Sequence, residues 1–306
     1  MNWNGVMPAM TTAFRPDFSI DHAFVARHAQ WLVENGCTGI ICLGSLAEAA
    51  TLNFEEKVAI LQTVVKSLDG TVPVVSAISA LSTAEAVALA QAAQREGCSG
   101  LMILPQYVYK GDWRENKAHV GAILKATPLP AMLYNNPVAY GVDFLPGQIE
   151  ELASEFSNLA AVKESTTDVR RVTAIRSLIG DRLAIFVGVD DAIVEGIAAG
   201  AVGWVAGLVN ALPRESVDLF NVARSGNAQA AFELYRWFLP LLRMDTVPKF
   251  IQLIKQVQQE AGVGCARVRP PRLELDRGEM EETSTVFQAA LANRPAIAAP
   301  STQFTR

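Results

Sequence analysis

The chain has 306 residues, of which half are apolar and 19% are charged, and its formal net charge is −5 at neutral pH. This composition excludes a long disordered or collagen-like chain, and the acidic balance argues against a nucleic-acid partner, because nucleic-acid-binding proteins usually present a basic face. The four cysteines are scattered without a CxxC pair and there are only three histidines. We therefore expect no metal site and a reducing compartment. No signal peptide is recognisable after Met1, so the expected location is cytoplasmic.

Eight short apolar runs predict strands of a parallel sheet. Three of these runs follow the same pattern, in which a helix ends, a glycine turn follows (Gly36, Gly97 or Gly200) and the strand begins. Glycine suits the left-handed cap of a helix, and apolar runs without alternation are typical of strands buried on both faces. The predicted strands are residues 6–11, 40–43, 73–76, 101–104, 131–134, 160–163, 184–188 and 203–206.

Helical patterns alternate with these strands and continue after them. The predicted helices are residues 21–34, 54–68, 83–96 with Ser82 as N-cap, 113–125, 145–155, 169–179, 192–198, 214–224, 228–242, 248–261 and 279–291. This alternation predicts the α/β class and a (β/α)8 TIM barrel over residues 1–225, followed by a C-terminal helical extension packed on the barrel (226–294) and a flexible tail (295–306). An open, doubly wound sheet is the alternative, although no GxGxxG motif follows the first strand.

One uncharged stretch allows a different interpretation. Residues 196–213 carry no charge and contain the GxxxG pattern twice, which is compatible with a transmembrane helix. However, the glycines divide the stretch into a helix end and a strand. We therefore predict no membrane partner.

In a barrel of this kind the active site lies at the carboxyl ends of the strands. The sixth predicted strand ends at Lys163, where burial would lower the pKa of the amine and favour Schiff-base formation with a carbonyl substrate. The alternatives are an ion pair with Glu164 or an amine that extends to the rim. Tyr134 ends the neighbouring strand, so its hydroxyl is expected to reach Lys163 and move protons, unless it is an ordinary core tyrosine.

Two further segments follow strands at the same end. The turn at Ser45 offers a hydroxyl and free backbone N–H groups, which predicts a carboxylate cradle, and Ser45 is also a candidate to relay a proton to Tyr134. An ordinary turn with Glu48 as a cap is the alternative. Asp190 and Asp191 follow the seventh strand, and we interpret them as helix caps.

Taken together and in this order, these segments resemble the dihydrodipicolinate synthase/N-acetylneuraminate lyase family of class I aldolase-type barrels, over residues 3–290. The motifs that carry the resemblance are GSLAEAATL at 44–52, PQY at 105–107, YNNP at 134–137, KES at 163–165 and GVDD at 188–191. The resemblance implies that Lys163 forms the Schiff base and that Tyr134 relays protons. It also implies that Ser45 binds the carboxylate of a 2-oxo acid beside the backbone N–H of Leu46.

The resemblance further implies the remaining pocket residues and the assembly. Val205 would contact pyruvate from the eighth strand, and Tyr107 would complete the relay from a neighbouring subunit. No metal ion or organic cofactor is implied. The family usually forms tetramers, so a homotetramer built as a dimer of dimers is expected.

Three positions depart from the family pattern. Ala47 replaces a glycine of the cradle turn, so the turn must avoid a positive φ at this residue or accept strain. Leu46 replaces a threonine of the synthases, which makes this part of the pocket more apolar. Ala139 stands where the synthases have an arginine that holds the carboxylate of a second substrate, so a bidentate clamp is missing.

The sequence therefore predicts a lysine Schiff-base lyase that acts on a 2-oxo acid or a cyclic imine, and the missing clamp favours a lyase reaction on one substrate over the condensation of two. Within the family this resembles the dehydratase/deaminase branch, for example 1-pyrroline-4-hydroxy-2-carboxylate deaminase or 2-keto-3-deoxy-sugar-acid dehydratases, and Tyr140 is a candidate for the distal pocket. A 2-keto-3-deoxy-acid aldolase or a condensing enzyme that uses pyruvate is the alternative. The non-enzymatic alternative is an inactive barrel that senses 2-oxo acids.

Overall fold

A computed structural model describes residues 1–107, 109–296 and 301–304, and eight parallel strands lie within this part of the chain. The strands are β1 (Gly5–Pro8), β2 (Ile40–Cys42), β3 (Val74–Ile78), β4 (Gly100–Ile103), β5 (Ala131–Asn135), β6 (Leu159–Glu164), β7 (Ala184–Val187) and β8 (Gly203–Ala206). They are hydrogen-bonded in the order β1-β8-β7-β6-β5-β4-β3-β2. A parallel bridge between Ala9 and Ile41 joins the two ends of this sheet. The predicted (β/α)8 barrel is therefore confirmed, and the open sheet is wrong.

Helices surround the strands and continue beyond the barrel. They are α1 (His22–Glu34), α2 (Phe54–Leu68), α3 (Thr83–Arg95), α4 (Trp113–Ala126), α5 (Pro137–Tyr140), α6 (Pro146–Glu155), α7 (Arg170–Ile179), α8 (Ile193–Ala198), α9 (Pro213–Arg224), α10 (Ala228–Leu242), α11 (Phe250–Glu260) and α12 (Arg277–Ala292). Every predicted helix is present with ends shifted by at most two residues, and Ser82 caps α3 as predicted. The short helix α5, which follows the strand that carries Tyr134, was not predicted.

The glycine turns that the sequence indicates are found before β2, β4 and β8. Gly36, Gly97 and Gly200 have φ values of 95°, 84° and 107°, in the left-handed region that a side chain disfavours. Each glycine lets the chain leave a helix and enter the next strand within a few residues. This short connection aligns the strands so that their carboxyl ends share one rim.

The uncharged stretch at 196–213 does not form one continuous helix. It contains the end of α8, the strand β8 and a short 3-10 helix at Leu208–Asn210. Among the residues that the structure describes, no helix is both long enough and apolar enough to cross a membrane. The transmembrane interpretation of this stretch is therefore wrong.

The C-terminal helices pack on the barrel. Phe238 of α10 is completely buried, and the indole of Trp237 donates a hydrogen bond to the carbonyl of Ala290 in α12 at 2.8 Å. The exact boundaries of this extension, at residues 225 and 294, stay a prediction. Of the predicted flexible tail, 297–300 and 305–306 lie outside the described residues. Thr302, in contrast, accepts a hydrogen bond from the indole of Trp31 at 2.9 Å, which places that part of the segment against α1.

Candidate active site

The amine of Lys163 and the ring of Tyr134 form the centre of the barrel mouth. The register of β5 and β6 pairs these two residues directly, and Lys163 Nζ lies 4.0 Å from the centroid of the Tyr134 ring. Both side chains are almost fully withdrawn from water, at 6% and 5% exposure. Burial lowers the pKa of Lys163 to about 8 against the opposing effect of two nearby aspartates, and it raises the pKa of Tyr134 to about 12. The unprotonated form of this amine is therefore far more populated near neutral pH than that of an exposed lysine.

The structure has neither of the alternatives considered for Lys163. The carboxylate of Glu164 accepts hydrogen bonds from Asn135 Nδ2 at 3.1 Å and from the backbone N–H of Thr166 at 2.8 Å, and no ion pair joins it to Lys163 in the described residues. The amine does not reach the solvent at the rim either, because Lys163 is buried. Lys163 is thus a buried amine that no neighbouring carboxylate directly binds, which is the state that a Schiff-base nucleophile requires.

Asp190 has a different role from the cap that the sequence suggested. It is completely buried, and its carboxylate accepts hydrogen bonds from Trp204 Nε1 at 3.0 Å and from the backbone N–H groups of Gly207 and Leu208 at 3.0 Å and 2.8 Å. The interpretation as a helix cap is therefore wrong for this residue. Asp190 ties the end of β7 to the loop after β8, and this contact fixes one side of the barrel mouth.

A second aspartate, Asp245, approaches the same region from the C-terminal extension. It lies in a short 3-10 helix at Arg243–Thr246, and its Oδ1 lies only 2.3 Å from where a Cβ on Gly207 would be, so no side chain fits at residue 207. The residue is half-buried, but its carboxyl group is withdrawn from water. This burial, together with the charge of Asp190, raises the pKa of Asp245 well above its usual range. Asp245 therefore brings a second carboxyl group to the region of Lys163, and its burial disfavours the charged form of that group.

The turn after β2 has the features of a carboxylate cradle. The hydroxyl of Ser45 is half-buried, and within the described residues the backbone N–H groups of Ser45 and Leu46 donate no hydrogen bond, whereas those of Ala47 and Glu48 bond back into the turn. Ala47 keeps a negative φ, and the left-handed conformations fall on Leu43 and Glu48 instead. The turn thus avoids a positive φ at the position where the family has glycine, which is the first of the two outcomes that we considered.

Glu48 joins the cradle turn to the C-terminal extension. Its Oε1 forms an ion pair with Lys255 Nζ of α11 at 2.7 Å, and both side chains are almost completely buried. The other oxygen, Oε2, accepts a hydrogen bond from the backbone N–H of Arg269 at 2.9 Å, while Lys255 also donates to the carbonyl of Thr12 at 2.9 Å. Glu48 makes no capping hydrogen bond. The C-terminal extension therefore fixes the turn that carries Ser45.

Ser45 does not bond to Tyr134 as expected. The hydroxyl of Ser45 forms its hydrogen bond with the hydroxyl of Tyr140, and the hydroxyl of Tyr134 accepts one from Asn136 Nδ2 at 3.0 Å. The ring of Tyr140 contacts the ring of Tyr134 edge to face, with centroids 5.7 Å apart. The direct link that we predicted between Ser45 and Tyr134 is thus absent in this state, and a tyrosine from α5 occupies that place.

The structure places the other predicted pocket residues as follows. Tyr107 lies beside Tyr140 of its own chain, with ring centroids 5.9 Å apart, and its hydroxyl accepts a long hydrogen bond of 3.4 Å from Ser79. Val205 is buried in β8, opposite Met7 of β1. The side chain of Leu46 packs into a small apolar cluster with Ile251, Ile254 and Val268, so this side chain joins the barrel to the extension. The functional roles of these residues stay predictions.

Position 139 holds no group that could bind a carboxylate. Ala139 is exposed on α5, and its backbone N–H donates to the side chain of Asn136 at 3.0 Å. The same Asn136 also donates to the hydroxyl of Tyr134, so one residue contacts both the start of α5 and Tyr134. In the described residues there is also no group of three or more His, Cys, Asp or Glu side chains arranged to hold a metal ion.

Sequence reasoning missed three contributors to this site. Tyr140 was considered only for a distal pocket, although an aromatic hydroxyl so close to the YNNP motif was a signal for a second site hydroxyl. Asp245 lies more than eighty residues after Lys163, and no periodicity relates the two. Lys255 appears in a helical pattern as an ordinary polar position, and only the fold shows that it is buried against Glu48.

Comparisons with known proteins agree with this geometry. The chain matches the model of the dihydrodipicolinate synthetase family over residues 2–290. A 4-hydroxy-tetrahydrodipicolinate synthase from Alkalilimnicola ehrlichii is 32% identical over 292 residues, which cover 94% of this chain and 97% of that protein. The crystal structure of a dihydrodipicolinate synthase from Bacillus anthracis superposes with a TM-score of 0.90 at 28% identity, covering 94% of this chain and 98% of that one.

A further solved structure includes a small molecule. It is a prophage protein of the dihydrodipicolinic acid synthase family from E. coli K12 in complex with pyruvate, with a TM-score of 0.89, 25% identity and coverage of 94% of this chain and 99% of that one. The family model covers nearly the whole chain, and the barrel carries a buried lysine paired with a tyrosine at the ends of β6 and β5. The chain therefore belongs to the dihydrodipicolinate synthetase family of aldolase-type, Schiff-base-forming lyases.

Proposed function

We propose that the protein eliminates water or ammonia from a single 2-oxo acid or cyclic imine, through a Schiff base on Lys163. The observation that carries this choice within the family is the exposed alanine at residue 139, where the resemblance leads us to expect an arginine in the synthases. Without a guanidinium at this position, a second substrate that carries a carboxylate has no bidentate partner on α5. Chemistry on one substrate is therefore favoured over condensation of two.

The first steps would use Lys163 and Tyr134. The lone pair of the amine forms a bond to C2 of the substrate, the electron pair of the C=O or C=N bond moves to that oxygen or nitrogen, and Tyr134 supplies a proton to the same atom. Loss of water, or of the ring amine from a cyclic imine, leaves a protonated imine on Lys163. Ser45 and the N–H of Leu46 would hold the substrate carboxylate during these steps.

The protonated imine then acts as an electron sink. It acidifies the neighbouring carbon, so a base can remove a proton there and form an enamine, and the enamine can expel a hydroxyl or amino group from the next carbon. The leaving group departs more easily if it receives a proton. Asp245 is a candidate proton donor for this step, because burial and the charge of Asp190 raise the pKa of its carboxyl group and so favour the protonated form.

The alternatives within the family share the imine and differ in the bond that breaks. A 2-keto-3-deoxy-acid aldolase would break a carbon–carbon bond and release pyruvate with an aldehyde. A condensing enzyme would form such a bond from pyruvate, as the name of the Alkalilimnicola relative indicates for that protein. A 2-oxo-acid sensor would bind without turnover.

A substrate panel with product analysis tests the proposal. The purified protein is incubated with pyruvate, alone and together with an aldehyde, with 2-keto-3-deoxy-sugar acids and with 1-pyrroline-4-hydroxy-2-carboxylate, and each reaction is analysed by mass spectrometry with and without borohydride. We expect a single oxo acid as the product, formed by loss of water from a sugar acid or by hydrolytic release of ammonia from the cyclic imine, and a reduced adduct on the peptide that contains Lys163. Lys57 is a matched internal control, because it is also buried but forms an ion pair with Glu85 at 3.4 Å.

Three outcomes would contradict the proposal. Release of pyruvate with an aldehyde would favour the aldolase, and consumption of pyruvate together with an aldehyde would favour condensation. Binding of a 2-oxo acid without an adduct or a product would favour the sensor.

We also propose that the protein acts in the cytoplasm and assembles as a homotetramer. Light scattering of the active protein would test the number of subunits.

A further inference from the structure

The hydroxyl of Tyr140 contacts the cradle turn, a contact that the family resemblance does not assign to this residue. It forms a hydrogen bond with the hydroxyl of Ser45, beside the free N–H groups of the cradle turn. Its ring contacts Tyr134 edge to face, at a centroid separation of 5.7 Å and an interplanar angle of 82°. The three hydroxyl side chains Ser45, Tyr134 and Tyr140 therefore surround the position where the substrate must reach Lys163.

Tyr107, to which the resemblance assigns the second tyrosine of the relay, does not make this contact within the chain. Its hydroxyl pairs with Ser79 at 3.4 Å, and it touches the site only through its ring, which lies 5.9 Å from that of Tyr140. Of these two tyrosines, only Tyr140 has a hydroxyl bonded to the cradle.

The backbone around Tyr140 is built to hold it there. Asn136 caps the start of α5 by accepting from the N–H of Ala139 at 3.0 Å, and it donates to the hydroxyl of Tyr134 at 3.0 Å. Gly141 ends the helix with a φ of 72°, and a Cβ at this position would lie 2.7 Å from Lys110 Cε. The helix therefore has a fixed start that is shared with Tyr134 and an end that only glycine fits easily.

We propose that Tyr140 adds a tyrosine hydroxyl to the proton relay, and that it serves Lys163 of its own chain through Ser45. This inference rests on the proposed function, because it concerns the imine chemistry at Lys163. It also goes further, since it adds a tyrosine of the same chain to the relay. In this assignment Tyr140 is a positioning and relay residue that acts through Ser45 and Tyr134.

The proton balance of imine formation defines the task of the relay. When the carbinolamine loses its hydroxyl, the C–O bond breaks, the lone pair of Lys163 nitrogen forms the C=N bond, and Tyr134 donates the proton that leaves with water. Tyr134 then recovers a proton from Ser45, Ser45 from Tyr140, and Tyr140 from solvent. The step requires the hydroxyl of Tyr134 to approach Ser45 when substrate is bound, and catalytic hydrogen bonds commonly tighten only in the complex.

Exchange of the methyl hydrogens of pyruvate for deuterium tests this relay without knowledge of the natural substrate. The exchange needs an imine on Lys163 and is followed by NMR in D2O over a range of pyruvate concentrations and pD values. We expect Tyr140→Phe to lower the limiting rate by about 10- to 100-fold and to change its pD profile, because a positioned proton-transfer group contributes at least this much. The half-saturating pyruvate concentration should change by less than about threefold.

Tyr109→Phe is the matched control, because Tyr109 is an exposed tyrosine whose hydroxyl donates to Glu115 at 3.3 Å and does not contact Ser45. We expect its limiting rate to stay within about threefold of the unmodified protein. A loss in Tyr109→Phe as large as that in Tyr140→Phe would overturn the inference. An unchanged limiting rate with tighter pyruvate binding in Tyr140→Phe would also overturn the inference. Tyr140 would then only compete with the substrate carboxylate for the cradle, without a role in proton transfer.

The test separates this inference from the proposed function. If the unmodified protein gives neither deuterium exchange nor a borohydride adduct with pyruvate or any substrate of the panel, the Schiff-base function fails and the relay fails with it. If the adduct forms but Tyr140→Phe exchanges at the unmodified rate, only the relay fails.

Mixing of subunits tests whether the relay stays within one chain. Lys163→Ala and Tyr140→Phe chains are unfolded together, refolded together and assayed for exchange. We expect no activity above the average of the two separate variants, because no chain has both residues. Recovery of activity in the mixture would show that Tyr140 acts across subunits, and it would overturn the assignment to its own chain.

Discussion

The lysine–tyrosine pair and the cradle turn form two halves of one site, but different parts of the chain hold them in place. Lys163 and Tyr134 are neighbours because β5 and β6 pair in register, and the strands are close in sequence. The cradle turn at residues 44–52 depends instead on α11, through the buried ion pair between Glu48 and Lys255. The nucleophile is therefore positioned by the barrel, whereas the substrate carboxylate would be positioned by the C-terminal extension.

This difference suggests that the two halves can be damaged separately. Changes on β5 and β6 should alter the chemistry of the amine and leave the cradle intact. Changes at the contact between the turn and α11 should weaken the fold and the binding of a carboxylate, while the pKa of Lys163 stays the same. The predictions below use this separation, beginning with the largest expected effect.

Replacement of the nucleophile gives the largest effect. Lys163→Ala should lower the rate of adduct formation and of turnover by at least about 1,000-fold, because no other described amine lies against Tyr134. Thermal unfolding should show that the fold persists, since alanine removes a buried amine without an ion pair. Lys57→Ala is the control, and it should keep the adduct. Adduct formation that survives in Lys163→Ala would contradict the assignment of the nucleophile.

The ion pair behind the cradle gives the next largest effect. Glu48→Gln leaves the amine of Lys255 buried without its carboxylate, so the free energy of unfolding should fall by about 3–5 kcal/mol in chemical denaturation. The double variant Glu48→Gln with Lys255→Met should recover much of this loss, because the buried charge is removed. Arg277→Ala breaks an exposed ion pair with Glu281 and should cost no more than about 0.5 kcal/mol. Equal losses at the two ion pairs would contradict the dependence of the cradle on α11.

The pH dependence of imine formation separates the two halves more sharply. The reactive form of Lys163 is the unprotonated amine, and its pKa is lowered to about 8 by burial. The initial rate of borohydride trapping with pyruvate should therefore rise with pH to a plateau, with a midpoint near this value. Ser45→Ala should lower the affinity for pyruvate and the plateau rate, because it removes a hydroxyl from the cradle and from the relay. It should leave the midpoint unchanged, because Ser45 makes no contact with the amine. A midpoint near 10, typical of a free lysine, would contradict the burial of this amine.

The same contrast explains what the sequence could predict. The strands, the glycine turns and the lysine at the end of β6 follow from local patterns, because buried parallel strands are continuous apolar runs and a charged residue at their end is conspicuous. The contacts of Glu48 with Lys255 and of Asp245 with Gly207 join segments far apart in the chain. No periodicity encodes such pairs, so only the folded structure reveals them.

Asp190 and Tyr140 illustrate a second limit of the sequence. Both lie in segments that were identified, but side-chain direction decided their roles. Asp190 binds the backbone of the loop after β8 and does not cap a helix. Tyr140 contacts Ser45 because the unpredicted helix α5 follows Asn136. A single turn of helix thus determines which hydroxyl meets the cradle.

The smallest effect is expected from Ala47→Gly, and the informative result is the sign of the change in the free energy of unfolding. In this structure the residue keeps a negative φ, and Leu43 and Glu48 take the left-handed conformations of the turn. Ala47→Gly should therefore destabilise the protein by about 0.5–1 kcal/mol, because glycine adds freedom to the unfolded chain and relieves no strain. Chemical denaturation measures this change. Stabilisation by Ala47→Gly would mean that the backbone of the turn is strained at this residue. The conformation of the cradle would then depend on its contacts with α11 and not on a relaxed backbone.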